Sequence, residues 1–372
     1  MSSDPAALAP ATPPTGLRRI AGAELVLVAL LALAALLPGV WRYSLVDPWE
    51  THYGEVARRM LQDDDWVHTD WQNEGFRSKP VLTFWLMAAS MKALDVADDG
   101  GYSGEMTESS TVVLAIRLPF VLFGVLGLVA GWWMLARMAG RRVAYLALLV
   151  LGTTPFYVLV ARQGITDMTL VGSMIGAIAM FAVANEAGDE RLRPLAFLGR
   201  GRWRVALDHR HVFAAIVGGL LLYEAIYYVQ YFAHSPKLAG IRLGGMHPGW
   251  AIATPMLLGL ALLLLADVPA ALAEARWLPR GARNVVGALA SAASLLSPTR
   301  TSRQVYMLWF YTFLGISVLG KGLPALGIVG IVCFFYVLLL NRWADLVRGR
   351  YELVRGVILL LLIAVPWHVA MW

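Results

Sequence analysis

Asp47, Glu50 and Glu55 stand close together just after the first apolar run of the chain, and Lys79 follows directly before a proline. A helix starting at Pro48 would have Asp47 as its cap and Glu50 in its first turn. There the unpaired backbone amides favour the ionised carboxylate that a general base needs. Lys79 opens a second apolar run, and a lysine held beside a membrane surface suits a phosphate head group as a compact point charge. Each of these groups, taken singly, is more often a solvated surface side chain. Together they make residues 41–111 the stretch where reactive groups concentrate, with 13 acids and 6 bases.

What must position them is a membrane protein. Of the 372 residues, 58% are hydrophobic, and the mean hydropathy is +0.62. A water-soluble core of this size does not hide that much apolar surface. Nine candidate spans are read at about 23–40, 112–136, 143–161, 168–184, 212–232, 249–267, 305–319, 323–340 and 354–372. The weakly apolar 281–298 is left out as a tenth or interfacial helix. Twenty of the 31 lysines and arginines fall in 18–19, 137–142, 191–210, 276–303 and 342–355. The net charge of +6 therefore reads as membrane topology rather than nucleic-acid binding. The positive-inside rule puts the N-terminus in the cytoplasm of a bacterial inner membrane and the 41–111 loop outside. The turns at 161–167 and 320–322 follow it to that side. A Pro/Ala-rich N-terminus over 1–20 is expected to be disordered, and a cleaved signal peptide is not expected. The lone Cys333 supports no disulfide frame.

Within the loop, WETHYGEVARRML places Tyr53, Val56 and Met60 on one helical face. SKPVLTFWLMAASMKAL predicts a second helix, shorter than the roughly 20 residues a span needs. The expected fold class is thus all-α: a polytopic bundle over 21–372, with two amphipathic interfacial helices in a large first external loop. These helices either cap the bundle structurally or roof a lipid-accessible active site.

WETHYGEVARRML followed by SKPVLTFWL resembles the first external loop of the GT-C glycosyltransferases, in the branch of protein O-mannosyltransferases and lipid A aminoarabinose transferases. AIRLPFVLFGVLG, ARQGITDMTL, SVLGKGLPAL and PWHVAMW are similar, in order, to further segments of that branch. The resemblance implies inverting transfer of a sugar from a polyprenyl-phosphate donor to a lipid, protein or glycan acceptor, on the external face. It implies a carboxylate base, Glu50 or Asp47, with Asp167 as a second site carboxylate. Lys79, Arg162, Lys321 and His52 would be phosphate-side cations, and Tyr53 would pack or hydrogen-bond near the substrate. No cofactor or obligatory metal is implied. Trp49 stands where the family usually has its catalytic aspartate, which leaves the base open between Asp47, Glu50 and another acid. The stretch 190–304 is expanded, and family members usually continue with further spans and a soluble domain, so the chain is expected to be a fragment or a truncated form.

Blander readings stand beside these. Arg162 and Asp167 also read as a helix-end pair, and Lys321 as a snorkelling interfacial lysine. His234, His247 and His368 show no ligand spacing. Two rival functions remain: a lipid-linked sugar transporter or flippase, suggested by the intramembrane Glu224, and a non-catalytic membrane scaffold.

Overall fold

The computed structural model of the chain describes residues 18–72, 74–96, 109–198, 205–234, 243, 245–265, 279, 281 and 299–371. Residues 1–17 of the expected disordered N-terminus, 97–108 of the insert, 282–298 and the terminal Trp372 lie outside those residues.

All nine apolar segments read from the sequence fold as helices. They are α1 (Gly22–Leu36), α4 (Ser110–Met138), α5 (Arg141–Thr153) with α6 (Pro155–Ala161), α7 (Thr166–Glu186), α8 (His209–Phe213) leading through a π turn at Ala214–Gly218 into α9 (Gly219–His234), and α10 (Pro248–Leu265). The series ends with α11 (Ser302–Lys321), α12 (Pro324–Leu339), a short α13 (Trp343–Val347) and α14 (Leu353–Met371). The insert supplies α2 (Trp49–Gln62), a two-stranded hairpin of β1 (Asp70–Trp71) and β2 (Glu74–Gly75), and α3 (Leu82–Ala93). A second small hairpin pairs β3 (Ala196–Leu198) with β4 (Val205–Leu207).

Length and composition separate these helices. Among the described residues, four are long and apolar enough to cross a membrane: 110–138, 166–186, 209–234 and 353–371. A fifth arises if α5 and α6, bent by 68° at the Thr154–Pro155 break, count as one span. Pro155 supplies the break, since it has no amide proton for the helical ladder. α1, α10 and α12 are apolar but shorter. α11 has 20 residues, but Arg303, Gln304 and Lys321 at its ends lower its hydropathy.

α7 packs between α4 and α11, and α14 links α11 to the α9–α10 pair. Small residues permit the close approach expected where lipid supplies no driving force between helices. At Gly172 a Cβ would sit 2.3 Å from the Phe123 carbonyl oxygen of α4, so no larger residue fits that crossing. Two polar features sit at the same end of this core: the start of α7 lies beside the end of α11. The insert folds down over that end, with α2 against α3 and α3 against α4. The predicted α2 face is confirmed as apolar, but it packs on protein: Val56 and Met60 are buried.

Candidate active site

The deepest polar group at this end is an arginine inside a membrane helix. Arg117, two turns into α4, is fully buried and uses all five of its N–H donors. Its Nε and Nη2 grip Glu50 at 2.8 and 2.6 Å. Nη1 donates to the carbonyls of Val40 and Tyr43, and Nη2 to that of Ser44. The Tyr43 ring lies 3.9 Å from the guanidinium carbon. One side chain thus ties the 40–44 turn to the start of α2.

Glu50 is equally saturated. Its Oε1 also accepts from the Gly164 amide at 2.6 Å, and its Oε2 from the Val46 amide at 2.8 Å. A carboxylate offers about four lone-pair sites, and all four are filled on a side chain with no exposure. Gly164 is required here: a Cβ at this position would meet Ile116 at 2.7 Å and Glu50 Oε1 at 3.3 Å.

The turn that Glu50 holds leads into α7. Asp167, in the first turn of α7, forms an ion pair with Lys321 at the last residue of α11. Both side chains keep part of their surface open, 41% and 28%. Arg162, at the end of α6, donates to the Pro38 carbonyl at 2.7 Å, and its own carbonyl accepts from the Tyr43 hydroxyl. Its Nε is buried without an acceptor among the described residues.

Tyr53 packs within the insert. Its ring meets Phe76 and Phe84 edge-on, with centroids 6.0 and 5.7 Å away. Burial, and then the charge of Asp167, push its hydroxyl up to about 12, so it stays a proton donor at neutral pH. Lys79 follows Phe76 on the same loop. It is half-buried and has no ion-pair partner among the described residues.

Asp47 differs from the expected cap. α2 begins at Trp49 with Pro48 in the capping position. The Asp47 side chain is exposed and accepts from the Thr51 hydroxyl at 2.8 Å through Oδ1 alone. The His52 ring packs on Trp71 at 4.3 Å. The structure therefore places Glu50, Arg162, Asp167 and Lys321 on or against the 162–167 turn and the end of α11, with Asp47, His52, Tyr53 and Lys79 on the covering insert.

Sequence reasoning leaves two features without a role. Arg117 enters it only as part of the AIRLPFVLFGVLG segment, although a charge inside an apolar run marks a site by default. The second is a latch between the insert and α9. The Asp65 Oδ2 accepts from the Tyr231 hydroxyl at 2.7 Å, and its Oδ1 from the Val67 and His68 amides. The His68 Nδ1 lies 3.1 Å from Asp65 and 2.7 Å from the Tyr231 hydroxyl. Nearby, the Trp367 indole of α14 donates to the Val67 carbonyl. Burial opposes the Asp65 charge, yet the hydrogen bonds from His68, Tyr231 and the amides hold its carboxyl below the usual value. The bond to Asp65 raises the His68 imidazole against its burial. No sequence spacing predicts these partners, which are over 160 residues apart.

No protein-family model matches the chain. It is 27% identical over 174 residues to the undecaprenyl phosphate-alpha-4-amino-4-deoxy-L-arabinose arabinosyl transferase of Pectobacterium carotovorum, covering 46% of this chain and 28% of that protein. The enzyme of the same name from Edwardsiella ictaluri is 26% identical over 176 residues, 47% of this chain and 29% of the relative. A stretch of 63 residues, 16% of this chain and 11% of the relative, is 43% identical to the Pectobacterium atrosepticum enzyme. The crystal structure of ArnT from Cupriavidus metallidurans bound to undecaprenyl phosphate superposes with a TM-score of 0.53 at 19% identity, covering 95% of this chain and 42% of ArnT. The chain is thus a distant homologue of the aminoarabinose transferases and shares their GT-C-like fold. It spans under a third of the length of these curated relatives and less than half of the solved ArnT chain.

Proposed function

We propose that this chain forms the membrane-embedded core of an inverting glycosyltransferase that moves a sugar from a polyprenyl-phosphate donor to a hydroxyl or phosphate acceptor at the external membrane face. The observation that carries the reading is convergence: residues from the insert, the 162–167 turn and the end of α11 meet at one end of the bundle, beneath a folded loop. The likeness to ArnT supports the donor class, since that structure holds undecaprenyl phosphate.

The chemistry needs few parts. The acceptor oxygen attacks the anomeric carbon as the bond from that carbon to the phosphate oxygen breaks. The proton leaves to a carboxylate, and the electron pair leaves with the phosphate. Asp47 is the base in this reading, because it is exposed and only one of its oxygens is engaged. Glu50, with every lone pair filled, positions the 162–167 turn instead. Asp167 orients Lys321, and Lys321, Lys79 and Arg162 form the cationic rim that receives the departing phosphate, with His52 as a further hydrogen-bond donor to it. The Tyr53 hydroxyl donates to substrate oxygens. Lipid A, a protein Ser/Thr or another glycan remain the acceptor classes.

The Glu224 carboxylate, on which the transport reading rested, accepts from the Tyr228 hydroxyl at 3.0 Å, one turn along the same helix. The test is to incubate the full chain in lipid nanodiscs with a panel of radiolabelled polyprenyl-phosphate sugars and candidate acceptors. Transfer from at least one donor is expected. A folded preparation that turns over none of them contradicts the enzymatic reading and favours the scaffold.

A further inference from the structure

A polar cavity lies at the other end of the bundle from the candidate active site. From Asp167 to Glu186 along α7, and from Lys321 back to Ser302 along α11, the rise is about 30 Å, the thickness of one hydrocarbon core. The cavity therefore sits at the membrane interface opposite the candidate active site. Its volume is about 440 Å³, within the range of about 300–1,000 Å³ usual for ligand sites.

Its lining is unusual in charge. Arg19, Arg137 and Arg193 face it together with Glu186 and Glu190. Arginines nearby on the same face are paired: Arg141 with Glu24, and Arg303 and Arg350 with Asp189. Among the described residues, none of the five cavity side chains forms an ion pair. Arg137 is also fixed in place. Its guanidinium carbon lies 5.1 Å from the Trp133 ring and 5.7 Å from the Tyr306 ring. Its Nη1 donates to the Tyr306 hydroxyl at 3.2 Å, while its Nε is buried without an acceptor. A planar fork held against a packed pair of aromatic rings, with donors left over, is a pre-formed seat for an oxyanion.

Three arginines alone would suit any anion. The two glutamates change the specificity, because they repel a bare phosphate and complement an ammonium group. We propose that this cavity binds a phosphate that carries a primary amine, the chemistry of an aminophospholipid head group or of a free phosphoamine. Arg19, Arg137 and Arg193 hold the phosphate, and Glu186 and Glu190 accept hydrogen bonds from the amine. This assignment does not depend on the transferase reading, since it uses other residues at the other membrane interface.

Native mass spectrometry of the full chain, titrated with phosphatidylethanolamine, phosphatidylcholine and phosphatidylglycerol, tests it, with soluble phosphoethanolamine as a separate arm. Phosphatidylcholine keeps the phosphate but has no N–H to donate, and phosphatidylglycerol has no amine. Retention of phosphatidylethanolamine at least about tenfold above both, lost in the R137Q/R193Q double variant, is the expected result. E186Q/E190Q is expected to erase the preference over phosphatidylglycerol. Binding of phosphoethanolamine without the lipid, lost in the same arginine variant, assigns the site to a soluble source and keeps the proposal. Equal retention of all three lipids with no phosphoethanolamine binding overturns it, as does retention unchanged in R137Q/R193Q. Because Arg137 packs on Trp133 and Tyr306, R193Q alone serves if the double variant melts early, and unchanged binding in folded R193Q and E186Q/E190Q is equally fatal.

Discussion

Arg117 with Glu50, and Lys321 with Asp167, are two ion pairs at the same end of one bundle, and they are built to opposite specifications. In the first, neither side chain has any exposure, and every donor and acceptor is used within the protein. In the second, both partners keep an open face; on the covering insert, Asp47 is exposed with one hydrogen bond to Thr51, and Lys79 has no ion-pair partner among the described residues. A saturated pair has nothing left to offer a substrate, and an open pair contributes little to folding. The first region holds the turn and the loop in place, and the second, in the reading proposed above, does the chemistry.

Breaking the saturated pair is expected to have the largest effect. Arg117→Met leaves Glu50 charged and buried and frees three carbonyls, a loss of about 3–5 kcal/mol. It should be read as a lower detergent melting temperature and a smaller folded fraction. A variant that melts like the parent would remove the distinction between the two regions. Lys79→Ala sharpens the comparison from the other side. Loss of one charge on the leaving phosphate is expected to slow transfer about 100-fold, with the melting temperature unchanged. Lys321→Met should alter stability by no more than about 1 kcal/mol, because the pair is partly solvated, while slowing transfer measurably. A stability loss as large as that of Arg117→Met would place Lys321 in the scaffold.

The smallest effect concerns the latch to α9. His68 is raised by Asp65, so its share of stability is full below the ordinary imidazole value and fades as pH rises through the shifted one. Asp65 is lowered, so its share is full above the ordinary aspartate value and fades as pH falls through the depressed one. The latch holds best between these limits. Hydrogen exchange of residues 64–77 should therefore be slower at about pH 5.5 than at about pH 8.5, after correction for intrinsic rates. His68→Gln should flatten that difference, and a difference that survives the substitution would assign it to another group.

The helices were legible because apolar runs of this length have few alternatives, and the buried face of α2 followed from the spacing of Tyr53, Val56 and Met60. The bend between α5 and α6 was not read, although Pro155 marked it. The start of α2 was read one residue early, because Asp47 makes its bond to the Thr51 hydroxyl rather than to a free amide. Reading the insert as the place where reactive groups gather did not reveal how they are held. Glu50 meets a guanidinium 67 residues away and an amide 114 residues away, and side-chain partners at such distances are set by packing. From sequence alone Glu50 and Asp47 are two acids near a helix start, and only their surroundings give them different work.

Substituting those two acids side by side tests the central claim most directly. In nanodiscs, with a donor the parent protein turns over, Asp47→Asn is expected to lose at least about 100-fold in transfer rate while melting like the parent. Glu50→Gln is expected to lower the melting temperature and the rate together. Transfer that persists in Asp47→Asn, beside a Glu50→Gln protein that is stable yet inactive, would return the base to Glu50 and contradict the account.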